Sequence, residues 1–348
     1  MNHLTEIIPL LLAWYDKQKR DLPWRQEVTP YRVWISEIML QQTRVEAVKG
    51  YFARFLRALP TVQALAEVPE QQLLKLWEGL GYYNRARNLQ RAAQDIMERF
   101  GGTLPNSYEQ LLTLAGIGSY TAGAIASIAF QIPVPAVDGN VLRVLARLTA
   151  DRADIADPRT KKVAEQMLLQ IMPQQRPGDF NQALMELGAT VCVPNGAPSC
   201  LCCPVRQLCE GYRQGIMLEL PVKSAKKPRK IEQRTVLVLL RDGKLALRRR
   251  EKKGLLAGLW ELPNFEGCCN NAQAVAAVRS LGLEPLRAEP LMAAKHIFTH
   301  IEWHMTGWRV TVEDACEVAG LVWVNPTQLQ TDYPLPSAFS AFLPGRMT

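Results

Sequence analysis

The hydrophobic period changes once along this chain, and that change limits the fold more than any other feature. Up to about Tyr212, apolar residues recur at three- and four-residue intervals between short punctuated loops, so the first part reads as helix after helix. Thr29-Pro30 supplies an N-cap and a proline at the first helical position, ahead of Trp34, Ile35, Ile38 and Met39. A second well-marked helix carries Val141, Val144, Leu145 and Leu148 after the turn-prone Asp138-Gly139-Asn140. From Pro221 to Lys230 the chain then holds Lys223, Lys226, Lys227, Arg229 and Lys230 with two prolines and no acidic residue, the composition of a phosphate-facing linker. Beyond it, Arg234 to Leu240, a turn at Asp242-Gly243 and Lys244 to Arg248 read as a β-hairpin. Ile301 to Val312 and Leu321 to Val324 read as strands, and Asn271 to Leu281 as one helix on that sheet. The expected architecture is multidomain: an all-α domain over 1–220, a basic linker over 221–231 and an α+β domain over 232–348.

A length of 348 residues suits two such domains, and a mean hydropathy of −0.09 argues against a polytopic membrane protein. The apolar run Ile7 to Tyr15 follows Glu6 and has neither a basic leader nor a cleavage site, so it reads as an amphipathic helix rather than a signal. Gln110 to Val137 holds no charged residue, but Gly116, Gly118, Gly123, Pro133 and Pro135 interrupt it and polar side chains suit it poorly to lipid. A net charge of +8 favours a polyanionic partner such as nucleic acid.

Five of the eight cysteines, Cys192, Cys200, Cys202, Cys203 and Cys209, fall within eighteen residues, a pattern of metal binding in a reducing compartment rather than of disulfides. Cys192, Cys200, Cys203 and Cys209 space as C-x7-C-x2-C-x5-C. With one short pair only, this spacing favours an iron–sulfur cluster over zinc, whose structural sites usually use two close pairs. In Leu114-Ala115-Gly116-Ile117-Gly118, two glycines let backbone amides converge at a helix N-terminus, where a phosphate of a duplex backbone could bind; a plain helix–helix turn is the alternative.

Two acids complete the pattern. Glu37 lies on the same helical stripe as Trp34, so desolvation should raise its pKa and suit it to donate a proton. Asp138 precedes a helix whose positive end should keep it ionised. One raised and one lowered carboxyl is an arrangement that glycosidic bond cleavage can use. Helix capping by Asp138 and ion pairing by Glu37 are the structural alternatives.

Together these residues resemble the helix-hairpin-helix DNA glycosylases with an iron–sulfur cluster, and within them the family that removes adenine mispaired with 8-oxoguanine. The matching segments are Leu22-Pro23-Trp24-Arg25, Trp34 through Val45, Gly79-Leu80-Gly81-Tyr82-Tyr83, Val137 through Val141 and Phe180-Asn181-Gln182-Ala183. The resemblance implies that Glu37 protonates adenine and later activates water, and that Asp138 stabilises the cationic sugar. It lets Tyr120 hydrogen-bond toward Asp138, and puts this residue where related lyases carry a Schiff-base lysine. A phenol forms no imine, so a monofunctional glycosylase is expected rather than an endonuclease III-like glycosylase/lyase. The pair Glu37 and Asp138 speaks against a non-catalytic DNA-binding protein with a redox-sensing cluster. The resemblance assigns Gln42 and Tyr82 to wedging the duplex, Arg20, Leu22, Trp24 and Gln182 to the adenine pocket, and Gly116, Gly118 and Asn140 to DNA contacts. It gives the four cysteines a 4Fe-4S cluster, although the first interval is one residue longer than the family's usual six and Cys202 adjoins Cys203.

The last third resembles that family's Nudix-like module. The region around Ala276 to Gly282 lacks the glutamates that hold Mg²⁺ in working Nudix enzymes, so pyrophosphate hydrolysis is not expected. Phe298, Thr299 and His300 match its Phe-Ser-His loop for 8-oxoguanine, with Thr for Ser. The implied protein is a cytoplasmic monomer, nucleoid-associated if bacterial, whose partner is duplex DNA with an adenine:8-oxoguanine or adenine:guanine mispair.

Overall fold

The computed structural model describes residues 2–225, 228–313 and 318–343. Lys226 and Lys227 of the basic segment lie outside them. Two compact units emerge: residues 1–68 with 87–225, and residues 69–86 with 226–348.

The first unit is helical. Its Asn2–Gln18 helix presents Ile7, Leu11 and Tyr15 to a core built with Val141, Val144 and Leu145 of the Gly139–Leu148 helix and Phe180, Leu184 and Leu187 of the Pro177–Thr190 helix. Thr29 caps the Pro30–Leu40 helix by accepting from Arg32 N, as its Thr-Pro start predicts. That helix packs on Ser119–Phe130, the charge-free segment, which in turn packs on Pro177–Thr190. Close approach explains the small residues there: a Cβ on Gly123 would sit 2.1 Å from Pro135 O, and one on Gly178 would sit 2.6 Å from Ile128 Cα. Among the described residues, no helix is long and apolar enough to cross a membrane.

The second unit is built on a mixed sheet. Its strands are β1 (Lys230–Arg241), β2 (Lys244–Arg249), β3 (Trp260–Glu261), β4 (Asn264–Glu266), β5 (Pro285–Ile297), β6 (Ile301–Val312) and β7 (Leu321–Val324). The order is β3-β2-β1-β6-β5, with β4 pairing β1 and β7 pairing β2; β1 and β6 run parallel, the other pairs antiparallel. Asp242 and Gly243 both take positive φ, the backbone of a tight hairpin turn, and set Leu240 opposite Leu245. Strand β1 is covered on both faces. Val236 and Val238 meet Phe339 and Phe342 on one side, while Leu237 and Leu239 meet Ala274 and Val278 of the Asn271–Ser280 helix on the other. The 13-residue β5 is an edge strand with Pro285 and Pro290 and many exposed side chains, so its pattern carries little hydrophobic signal.

Candidate active site

A cleft of about 720 Å³ opens in the first unit, lined by segments 20–25, 36–45, 118–121, 137–142 and 182–189. It brings together Glu37, Tyr120, Asp138, Arg20, Leu22, Trp24, Gln42, Gly118, Asn140 and Gln182. Glu37 projects from the Pro30–Leu40 helix and is 6% exposed. Burial pushes its pKa up to about 7, helped by the charge of Asp138 and opposed by a hydrogen bond from Tyr120 and by Arg25. The Tyr120 hydroxyl, from the first turn of Ser119–Phe130, donates to Glu37 Oε2 at 2.5 Å and has Met185 Sδ at 3.7 Å. Burial also raises Tyr120, and the neighbouring Glu37 and Asp138 add to the effect.

Two expectations are corrected here. The hydrogen bond of Tyr120 goes to Glu37 and not to Asp138, whose Oδ1 accepts Val141 N–H at 2.8 Å and whose Oδ2 accepts Asn140 Nδ2 at 2.7 Å. Asp138 is also raised rather than lowered. It does cap the Gly139–Leu148 helix, but burial of the carboxyl outweighs its hydrogen bonds and the pull of Arg143. Asn140 serves this carboxylate directly, since its own Oδ1 accepts from Arg143 Nη2 at 2.9 Å.

Leu22 and Trp24 are buried and line the cleft as well, so they are core and wall at once; Trp24 packs edge-on to Phe52 with ring centroids 5.6 Å apart. Behind them lies an ion network that sequence reasoning missed. Glu186, 0% exposed, accepts from Arg20 Nε at 2.6 Å and Nη2 at 3.0 Å and from Arg25 Nη2 at 2.8 Å. Arg25 Nε then donates to Gln182 Oε1 at 3.1 Å. Burial pushes Glu186 up, but Arg20 and Arg25 together overcome it and hold the carboxyl below the usual range. The available signal was the four-residue spacing of Gln182 and Glu186, which puts both on one helix face.

At the hairpin, Gly116 takes φ +74° and Gly118, with no side-chain cap, opens the Ser119–Phe130 helix. A Cβ at Gly116 would lie 2.7 Å from Asn88 Cβ, so glycine is required for close approach as well as for conformation. Ser119 donates to Glu165 at 2.7 Å and accepts from Lys161 Nζ at 3.0 Å, placing an ammonium in the cleft wall that the sequence had not flagged.

In the second unit, Tyr82 is half-exposed on a loop with positive φ at Gly79, Gly81 and Tyr82. Arg85 fixes that loop by donating to Leu80 O and Gly81 O while lying over the rings of Trp77 and Tyr82. The Tyr82 hydroxyl meets Thr299 Oγ1 at 3.2 Å. Thr299 and His300 are exposed at the turn between β5 and β6. Phe298 turns inward and stacks edge-on between His296 and Trp303, which makes it an anchor of that turn. The Asn271–Ser280 helix carries no glutamate.

The four spaced cysteines act on one another electrostatically. The charges of Cys192, Cys200 and Cys209 bear on Cys203, whose thiol burial pushes up to about 12; Cys200 and Cys209 are raised for the same reasons. Arg147 Nη1 donates to Cys192 Sγ at 3.2 Å, and backbone amides of Val205, Gly211 and Tyr212 serve Cys203 and Cys209. Cys202 is exposed. Among the described residues, no group of three or more His, Cys, Asp or Glu side chains is placed to hold a metal ion.

Residues 35–174 match the HhH-GPD superfamily of base excision DNA repair proteins, and residues 235–344 match the NUDIX domain. The adenine DNA glycosylase of Mus musculus is 38% identical over 350 residues, covering 84% of this chain and 68% of the mouse protein. That of Buchnera aphidicola from Acyrthosiphon pisum is 33% identical, covering 85% of this chain and 84% of its own. The chain belongs to the adenine DNA glycosylase family. Among solved structures, a thermostable thymine-DNA glycosylase superposes with a TM-score of 0.56 at 27% identity, covering 61% of this chain and 98% of its own. A trapped endonuclease III–DNA intermediate, at 24% identity and a TM-score of 0.53, shares the helical fold over 62% of this chain.

Proposed function

We propose that this chain hydrolyses the N-glycosidic bond of adenine mispaired with 8-oxoguanine or guanine in duplex DNA, as a monofunctional base excision repair enzyme. The observation that carries the reading is a buried carboxyl, Glu37, bonded to Tyr120 and set near Asp138 in a cleft large enough for an extruded base. With one oxygen taken by Tyr120, protonated Glu37 delivers its proton from the other to a ring nitrogen of adenine. The C–N bond then breaks and its electrons leave with the neutral base. Asp138, held by Val141 N–H and Asn140, stabilises the cationic sugar. Glu37, now ionised, takes a proton from the attacking water, and the sugar keeps the hydroxyl as an abasic site.

Gln42 and Tyr82 are each assigned to wedging the duplex, Gly116 and Gly118 to a backbone phosphate, and Thr299 with His300 to the base opposite adenine, on a turn held by Phe298. By donor chemistry, though not by a preformed single-ion site among the described residues, Cys192, Cys200, Cys203 and Cys209 suit a 4Fe-4S cluster: four soft donors, mutually repelling as thiolates, bordered by Arg147 and backbone N–H groups, with exposed Cys202 left outside the set. When bound, such a cluster can carry an electron, which the hydrolysis does not use, and its role here is to tie together the segment 192–213. The test is single-turnover release from a duplex with adenine opposite 8-oxoguanine. Strand breaks only after alkali are expected. Breaks without alkali would overturn the monofunctional assignment, and no abasic product would overturn the enzyme reading.

A further inference from the structure

A guanidinium donates hydrogen bonds and accepts none, so the side-chain amide of Gln182 must turn its oxygen toward Arg25 Nε, 3.1 Å away. The amide would otherwise be free to present either end to the cleft. Arg25 cannot swing aside to let it turn over. Its Nη2 is held by fully buried Glu186, its Nη1 donates to Arg20 O at 3.1 Å, and its plane lies over the Tyr15 ring. Glu186 is itself fixed by two further bonds from the Arg20 side chain. A chain of directional contacts thus runs from a buried carboxylate to an amide in the cleft wall, and every link permits one polarity only.

We propose that Arg25 and Glu186 are positioning residues that lock the Gln182 amide in a single orientation and so set which purine edge the cleft accepts. This rests on the reading that an extruded purine enters the cleft. Hydrogen bonds to the Watson–Crick edge are how a flipped base is read, and hypoxanthine presents there the reverse of adenine: a donor at N1 and an acceptor at C6. With its oxygen held by Arg25, the amide keeps its Nε2 donor for the cleft, where it pairs with the N1 acceptor of adenine and opposes the N1–H of hypoxanthine. An amide free to turn serves both.

Single-turnover release of adenine and of hypoxanthine, each opposite 8-oxoguanine, tests this. Arg25 also bears on the proton affinity of Glu37, but that influence is common to both substrates and cancels in their ratio. In Arg25→Met the adenine-to-hypoxanthine rate ratio should fall about tenfold, the worth of one oriented hydrogen bond. Arg25→Lys, still a donor without an acceptor, should keep the ratio near wild type. In a Gln182→Leu background, Arg25→Met should leave the ratio unchanged. Should Arg25→Met fail to fold, Arg25→Gln, neutral and able to donate or accept, should give the same fall. Equal losses on both substrates, with the ratio fixed, would overturn the inference while leaving the adenine glycosylase reading intact. A folded wild type that releases no adenine would overturn both.

Discussion

Glu37 and Glu186 stand in the walls of one cleft, 6% and 0% exposed, yet their proton affinities shift in opposite directions. Both are pushed toward the neutral form by burial. Glu37 has a phenol for its hydrogen-bonded neighbour and a second carboxylate nearby, and it is raised to about 7; Glu186 has two guanidinium groups and is lowered. Burial alone therefore does not make a proton donor. What distinguishes the two is whether the desolvated carboxylate meets a cation at hydrogen-bonding distance.

The largest effect is expected at Glu37. Glu37→Gln should lower single-turnover adenine release by about a thousandfold. It should also stabilise the fold relative to wild type, because wild-type Glu37 must ionise inside the protein. That gain is absent below pH 4.5, where the carboxyl is protonated in both the folded and unfolded chain, grows as pH rises toward 7 and is full above it. Urea denaturation at pH 4 and pH 8 reads the difference.

Glu186→Gln should do the reverse, costing about 3–5 kcal/mol of stability at neutral pH because Arg20 and Arg25 lose their counter-charge. Since folding lowers the pKa of Glu186, its contribution is present above 4.5 and lost as pH falls through the folded value. The deficit of the variant should therefore shrink on acidification. Tyr120→Phe sharpens the contrast with a smaller effect. Removing the hydrogen bond that lowers Glu37 should move the alkaline limb of the pH–rate profile upward and change the rate at pH 7 by roughly fivefold or less. The smallest effect belongs to the same chemistry outside the cleft. Asp16 and Arg176 pair in the open, and Asp16→Asn should cost less than about 1 kcal/mol by the same denaturation assay.

How much of this the sequence disclosed depended on the kind of signal each element carries. The helices around Trp34 and Val141 and the hairpin at Asp242-Gly243 are local: a cap, a periodic stripe and a turn pair specify each of them. Strand β5 was missed because an exposed edge with two prolines has little alternation to read. In the site, Glu37 was visible from its stripe on one helix, and its raised pKa followed from that placement. The error over Asp138 came from treating the helix end alone, when the burial of its carboxyl depends on side chains from distant segments. The Glu186–Arg25–Gln182 chain was hidden for the same reason. Its links span 157 and 161 residues, and no local pattern encodes a contact of that range.

The most direct test of the contrast is the pH dependence of single-turnover adenine release from pH 5 to 9 in wild type and Glu37→Gln. A wild-type rate that falls as pH rises through about 7, with no such limb in the residual rate of the variant, is what a proton held on Glu37 by burial predicts. A wild-type rate flat across that range, or a variant with wild-type activity, would contradict it.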